Sequence, residues 1–413
     1  MQPSSLATAL RCPVCDYERL REAMQVAGLD LVLANARRTV SWLTDYQTVY
    51  WTWDHAILHM LDKEYDGRDY HVFAGFPREP GKHSFLVEYA HREQAVEQFG
   101  IHADRFYGYW TRGRIPEITG EGVTLERDWS RTSVEAVVQA IQDCGLDNAT
   151  IGIEEGTLPL NVFRDLRNLL PRVRFQDAGD LLFDLRQVKT FEEIRRFRHA
   201  YEVADRTYRR AFARAGTGVT PRELLLEEMD EIYRSGCSFS FSHVHFSSGA
   251  TDLAVTPPPD RPIEPGDVGL FDLGVVYEGY STDYARMAEV APGNEKLRRH
   301  YPAILRAREV IERGIRPGVI ADDLFTAGAR VLEDAGLTAS ISCLGHGIGL
   351  GPCERPFLNA GSQDRIVPGQ ILVIEIYAEV GGLGPILMED GGLVTEAGWE
   401  SFCGLPTDIV QLG

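Results

Sequence analysis

Two aspartates eleven positions apart, Asp272 and Asp283, flank a short turn in the stretch Pro265-Gly-Asp-Val-Gly-Leu-Phe-Asp-Leu-Gly-Val-Val-Tyr-Glu-Gly-Tyr-Ser-Thr-Asp-Tyr-Ala-Arg-Met287. Val268 to Tyr277 reads as a mostly apolar strand, and Glu278-Gly279 as a two-residue hairpin turn. Pairing Tyr277 with Tyr280 sets Asp272 opposite Ala285 and Gly274 opposite Asp283. The two carboxylates then share a face as diagonal neighbours, roughly 7–8 Å apart at Cα. Arg286 falls on the other face by parity. Two carboxylates in an apolar hairpin are costly unless paired or bound to a cation, and Gly274 leaves room between them. The alternative is one Asp at a strand end and one capping a turn.

Three later segments each hold one further donor in an apolar or glycine-rich setting. They are Gly345-His346-Gly-Ile-Gly-Leu-Gly351, Gln370-Ile-Leu-Val-Ile-Glu375-Ile-Tyr-Ala378 and Ile386-Leu-Met-Glu389-Asp390-Gly-Gly-Leu-Val394. Taken singly, such a His or Glu is an ordinary hydrogen-bonded polar group. Four buried acids and one His, with no Lys or Arg on those strands to pair them, call for a cation. Asp272, Asp283, His346, Glu375 and Glu389 together suit two divalent metals of the Mn, Fe, Co or Zn type.

The elements that carry these donors occupy the second half of the chain. At 413 residues the length fits two domains. A hydrophobic content of 44% with 25% charged residues is ordinary for a globular protein. The net charge of −19 argues against nucleic acid or an anionic membrane as the main partner. There is no 18-residue apolar run, and Met1-Gln-Pro-Ser-Ser-Leu6 lacks the basic start of a secretory signal. Seven scattered cysteines point to reduced thiols in a cytoplasm. Cys12-Pro-Val-Cys15 is a lone pair, read as two free thiols in an N-terminal segment.

Along the chain, a helix is expected over Tyr17 to Ala27, stopped by Gly28. Short strands follow at Leu31–Ala34 and Val40–Thr44. Residues 46 to 116 read as irregular, and their aromatics (Trp51, Trp53, Tyr70, Phe73, Phe76, Tyr107, Tyr109, Trp110) as core packing. Ser133–Cys144 reads as a helix and Thr150–Ile153 as a strand, an α/β alternation. A boundary falls near Asp184 to Lys189. Thr190-Phe-Glu-Glu193 then forms a capping box, with Ile194, Phe197, Tyr201, Ala204, Tyr208 and Ala211 as a buried stripe behind it. A second box at Thr220-Pro-Arg-Glu223 opens another helix. Ser238–Ser247 reads as a strand with His243 and His245 on one face. Two helices, near 295–313 and 321–335, complete the pattern.

The motifs Asp-x-Gly with a second Asp eleven residues on, His-Gly-x-Gly-Leu, Ile-Glu, and Glu-Asp-x-x-Leu-Val-Thr resemble the pita-bread metallohydrolases, the group of methionine aminopeptidase, aminopeptidase P, prolidase and creatinase. The resemblance covers nearly the whole chain, since Arg19 to Thr44 and Val188 to Ile194 resemble the openings of its two domains. It implies an α+β protein, with a creatinase-like N-terminal α/β domain over residues 1–184 and a pita-bread catalytic domain over 185–413. It also implies that Asp272 chelates one metal, His346 and Glu375 the other, and that Asp283 and Glu389 bridge them. Manganese is the first expectation for both ions, with Fe, Co or Zn as alternatives. A metal-bridged hydroxide would be the nucleophile, with Glu375 moving the proton and His346 beside it. A cytoplasmic homodimer acting on a small molecule or short peptide completes the expectation.

The departures from the family pattern lie around the metals. The peptidases carry a His seventeen residues before the first Asp, where this chain has Val255. They carry a second His in His-Glu-x-Pro, where this chain has Cys353-Glu354-Arg355-Pro356. Prolidase and aminopeptidase P place an Arg two residues before the last ligand, where this chain has Leu387. Cys353, His245, Val255 and Leu387 are therefore the expected substrate-contacting positions. A thiol at 353 could also ligate a soft metal. The favoured reading is a dinuclear hydrolase of an amide or other C–N bond in a small molecule, not a standard prolidase. A Xaa-Pro dipeptidase or aminopeptidase is the alternative, and a non-catalytic binding protein on the same fold is the third.

Overall fold

Helix α1 (Tyr17–Ala27) begins where the Asp16 side chain accepts from the amides of Glu18 and Arg19, and it stops at Gly28 in the left-handed region at φ 70°. The chain divides into two units, Met1–Arg186 and Gln187–Gly413. The computed structural model describes residues 13–46, 71–89, 101–109, 130–247, 260–339 and 343–413. Trp51, Trp53, Tyr70, Trp110, Cys12 and Val255 lie outside the described residues. No described helix is long and apolar enough to cross a membrane.

The first unit is built on a six-stranded sheet with strand order β4-β3-β2-β1-β5-β6. Its strands are β1 (Leu31–Ala34), β2 (Phe73–Pro77), β3 (Phe85–Tyr89), β4 (Arg105–Tyr109), β5 (Thr150–Ile153) and β6 (Arg174–Asp177). Its further helices are α2 (Arg37–Thr44), α3 (Ser133–Asp143), α4 (Leu160–Leu169) and α5 (Gly179–Gln187). Phe73, Phe76 and Tyr109, in the region read as irregular, sit buried in strands β2 and β4.

Val40–Thr44, expected as a strand, belongs to helix α2. The reason is not local. The Glu154 carboxylate accepts from the Asn35 and Ala36 amides at 3.2 and 3.0 Å and from the Thr39 hydroxyl, capping the helix N-terminus across more than a hundred residues. Cys15, expected on a free segment, is buried.

In the second unit, helices α6 (Phe191–Arg214), α7 (Pro221–Arg234), α8 (Glu295–Gly314) and α9 (Ala321–Asp334) accompany a ten-stranded sheet. The strands are β7 (Ser238–Ser247), β8 (Val268–Tyr277), β9 (Tyr280–Ser281), β10 (Ala285–Val290), β11 (Cys343–Gly347), β12 (Glu354–Asn359), β13 (Ile371–Val380), β14 (Gly384–Thr395), β15 (Gly398–Ser401) and β16 (Val410–Leu412). The main path runs β12-β11-β13-β14-β10-β8-β7.

Both capping boxes form as the sequence implies. In the first, the Glu193 amide donates to the Thr190 hydroxyl at 3.3 Å and the Thr190 amide to the Glu193 carboxylate at 2.8 Å. The other Glu193 oxygen accepts from the Tyr280 hydroxyl at 3.0 Å, so the start of α6 is tied to the end of the aspartate hairpin. Phe197, Tyr201, Ala204, Tyr208 and Ala211 are fully buried along the expected stripe, with Ile194 half-buried at its end.

Loss of the Thr190 side chain should therefore act on the hairpin as well as the helix. Thr190→Ala is expected to destabilise by about 1 kcal/mol, seen as a lower Tm. Thr190→Ser, which keeps the cap, should restore it.

Candidate metal centre

The hairpin forms in the expected register. Tyr277 pairs with Tyr280 and Asp272 with Ala285. Glu278 and Gly279 turn with φ of 46° and 88°, both positive as a two-residue type I′ turn requires. Gly274 serves a different purpose from the one expected. A Cβ there would strike Ser240 and Phe241, so the missing side chain lets β7 pack on β8.

Strand pairing then extends the register across the sheet. His243 pairs with Asp272, Asp272 with Ala285, Ala285 with Glu389, and Glu389 with Glu375. Paired residues share a face, so these five form one row across five strands. His346 arrives from β11, paired with Val373 two residues before Glu375. Asp283, two residues before Ala285, completes the group. The single methyl of Ala285 at the middle of the row leaves space between the acids.

Donor atoms converge accordingly. His346 Nε2 lies 3.4 Å from Asp283 Oδ2 and 3.6 Å from Glu375 Oε2. Ligand atoms of Asp272, Asp283 and Glu389 lie within 4.8 Å of one another. Those of Asp283, His346 and Cys353 do likewise. His346 Nδ1 lies 2.9 Å from the Gly347 carbonyl, which can only accept, so Nδ1 carries a proton and Nε2 is the atom turned to the acids.

The opposite sheet face holds this row in place. Arg286, fully buried, donates to the Glu389 carbonyl at 2.9 Å and to Asp390 at 2.7 Å, and Arg308 pairs with the other Asp390 oxygen at 2.7 Å. The Tyr201 hydroxyl lies against the Asp283 backbone, donating to its carbonyl at 3.2 Å. Gly391 keeps that position open, because a Cβ there would meet the Tyr201 hydroxyl.

Electrostatics show what the row lacks. Burial pushes the Asp272 carboxyl up to about 6 and the Glu375 carboxyl up to about 7. Glu389 is raised well above the usual range by burial and then by Asp283, Asp272 and Glu375. Burial opposes charge on His346, but Asp283 and Cys353 outweigh it and raise the imidazole. Asp272 Oδ1 and Glu389 Oε2 are buried without a hydrogen-bond partner. Orphaned buried carboxylate oxygens converging on one space are the arrangement a bound cation satisfies. The residues fit a pair of divalent ions on this ground.

Two comparisons bear on the whole chain. Residues 17–188 match the creatinase/prolidase N-terminal domain, and residues 195–396 match metallopeptidase family M24. The Xaa-Pro dipeptidase of Pyrococcus furiosus is 30% identical over 251 residues, covering 60% of this chain and 72% of that protein. The chain belongs to metallopeptidase family M24. It is a metal-dependent hydrolase of the creatinase/prolidase type, and the family uses divalent ions, generally two. The Xaa-Pro dipeptidase of Lactobacillus helveticus is 26% identical over 279 residues, 67% of this M24 chain and 76% of the relative. Among solved structures, an X-Pro aminopeptidase from Thermotoga maritima superposes with a TM-score of 0.76 at 19% identity, covering 96% of this chain and 99% of that one. A Xaa-Pro dipeptidase from Bacillus anthracis gives 0.75 at 21%, with the same coverage. At such identities the superpositions establish the two-domain α+β fold.

The substrate positions expected from sequence separate in this M24 structure. Cys353 Sγ reaches His346 Nε2 at 3.7 Å. His245 and Leu387 stand two residues beyond the acid row. There His245 pairs with Leu270, Leu270 with Met287, and Leu387 with Tyr377. His245 Nε2 has no hydrogen-bond partner, and burial then Arg261 lower its pKa. His243 is the histidine beside the acids, its Nδ1 3.1 Å from Asp272 Oδ2, and that contact raises it. Alternation placed both histidines on one face, but only pairing with Asp272 distinguishes them. Glu228 on α7 belongs to no motif that marks it in the sequence. It is buried and accepts from the Ser242 hydroxyl at 2.6 Å.

Two outcomes follow. Asp283→Asn should lower the metal content from about two ions per chain and abolish turnover, measured by elemental analysis of the dialysed protein. Burial, then Asp272, pushes the Glu228 carboxyl from 4.5 to about 8. A raised acid stabilises the fold below its unfolded value and loses that stability as pH climbs through its folded value. Glu228→Gln should thus equal the parent in stability near pH 4. Above pH 8 it should be the more stable by a few kcal/mol, because each tenfold difference in proton affinity between the folded and unfolded chain is worth roughly 1.4 kcal/mol. Denaturant titrations of the metal-free proteins across that range check the slope.

Proposed function

We propose that this protein hydrolyses an amide or other C–N bond in a compact small molecule, with a specificity distinct from that of the Xaa-Pro dipeptidases. The observation that carries the reading is the pair of neighbouring rows. An acid row that would hold two cations is bordered by a row in which Leu387, Leu270 and Met287 are buried.

Asp272 would hold one cation, His346 and Glu375 the other, with Asp283 and Glu389 shared between them. When bound, such a pair supplies a water acidified toward neutrality and positive charge for the oxygen that becomes anionic. The Glu375 carboxylate takes the proton of the attacking water and returns it to the leaving nitrogen. His243 holds the Asp272 carboxylate from outside the row, while Arg286 fixes the Glu389 backbone from the opposite face. Leu387, sharing Glu389's face, presents methyl groups where the family's peptidases hold a substrate carboxylate with Arg. We extend the reading to a cytoplasmic homodimer. The resemblance supports the dimer, and the unbridged thiols of Cys144, Cys237, Cys343, Cys353 and Cys403 support a reducing compartment.

The relatives favour a second reading, hydrolysis of Xaa-Pro dipeptides, since those from Pyrococcus furiosus and Lactobacillus helveticus are Xaa-Pro dipeptidases. Metal-loaded protein assayed on Ala-Pro and Gly-Pro separates the two. The proposed specificity requires kcat/KM below about 10⁴ M⁻¹s⁻¹, the lower end of ordinary enzymes, and a higher value restores the dipeptidase. Leu387→Arg should raise that constant roughly tenfold to a hundredfold, the equivalent of one charged hydrogen bond. An unchanged constant would remove position 387 from the explanation.

A further inference from the structure

Cys353, expected from the sequence to line the substrate pocket, stands among the cation donors. We propose that its thiolate is a ligand to the cation held by His346, giving a centre that prefers thiophilic divalent ions such as zinc, cobalt or ferrous iron over manganese. This deepens the dinuclear reading above and rests on it.

The donor separations carry the inference. A tetrahedral ion with bonds of about 2.3 Å to sulfur and 2.0–2.1 Å to nitrogen or oxygen sets its donors roughly 3.6 Å apart for S and N, and roughly 3.4 Å for N and O. Cys353 Sγ and His346 Nε2 are 3.7 Å apart, and His346 Nε2 and Asp283 Oδ2 are 3.4 Å apart. Ligand atoms of the three residues fall within 4.8 Å of one another. The adjoining acid group adds an independent sign of a ligand, the buried and unpartnered Glu389 Oε2.

The loop bearing the thiol is fixed where it must be. The Gly351 amide donates to Glu354 Oε1 at 3.0 Å, and the other Glu354 oxygen lies 3.9 Å from Lys189 Nζ, both side chains buried. A Cβ at Gly349 would collide with that carboxylate, so glycine there lets the loop close around it. Pro352 and Cys353 lie between these anchors, and Cys353 is exposed enough for an ion to reach. On coordination the thiol proton passes to solvent. Carboxylates alone suit manganese, whereas a thiolate beside an imidazole shifts preference toward zinc, iron and cobalt.

Cobalt reports the bond directly. Wild-type protein titrated with Co(II) should show a near-ultraviolet thiolate-to-cobalt charge-transfer band. Cys353→Ser should lose that band and bind cobalt more weakly, on the order of 10–100-fold. Cys343→Ser should keep both, because Cys343 is half-buried on β11 and outside the donor cluster among the described residues. Cys353→His, carrying nitrogen in place of sulfur, should bind cobalt without the band. Cobalt uptake by the wild type with no such band, or an unchanged band in Cys353→Ser, overturns the thiolate while leaving the dinuclear centre standing. A wild-type chain that takes up no cobalt, zinc or manganese overturns both.

Discussion

Four carboxylates and one imidazole share an apolar space within the second unit, and their mutual repulsion is the constraint on which the rest of that unit depends. Burial is the largest cause raising Asp272, Glu375 and Glu389; Asp283 raises all three, and Asp272 raises Glu375 and Glu389. A fold that keeps such a group together without a cation stores unfavourable charge, and one that binds divalent ions converts it into affinity. The surrounding packing makes sense as the means of holding those acids in place with only His243 and His346 beside them to offset their charge.

The sheet meets that demand through register. One row of paired residues from β7 to β13 sets His243, Asp272, Ala285, Glu389 and Glu375 side by side. The reverse face is locked by an ionic cluster in which Arg286 and Asp390, at alternate positions of β10 and β14, are joined by Arg308 from helix α8. Acid therefore points one way at position 389 and the other way at 390, and only the second meets arginine. The period-two geometry of a strand keeps the cations off the candidate metal face.

The next row along differs in character from the acids. Leu270, Met287 and Leu387 make that border apolar, while Cys353 brings sulfur to the His346 side of the acids. Both features lie beside the acids without replacing any of them. Membership of M24 fixes the fold and a metal-dependent hydrolase. The residues around the row are the ones on which the proposed difference from the Xaa-Pro dipeptidases rests.

Much of this was legible in the chain itself. The hairpin register followed from the Glu278-Gly279 turn, and both capping boxes from Thr and Glu three residues apart, because these are contacts between near neighbours. The stripe from Phe197 to Ala211 followed from helical periodicity. Val40–Thr44 was misread because its helix is capped by Glu154, a partner no local pattern reveals. Strands β2, β3 and β4 are not legible for a related reason, since what satisfies their backbone is pairing with β1, β2 and β3, which no signal within the aromatic segments reveals. The histidines at 243 and 245 share a face by alternation, yet only pairing with β8 put one beside Asp272 and the other beside Leu270. The sequence by itself determined which residues carry cation-donor groups and how the hairpin and the two capped helices begin. The tertiary structure decided which of them stand opposite one another, because strand pairing joins residues that local periodicity cannot relate.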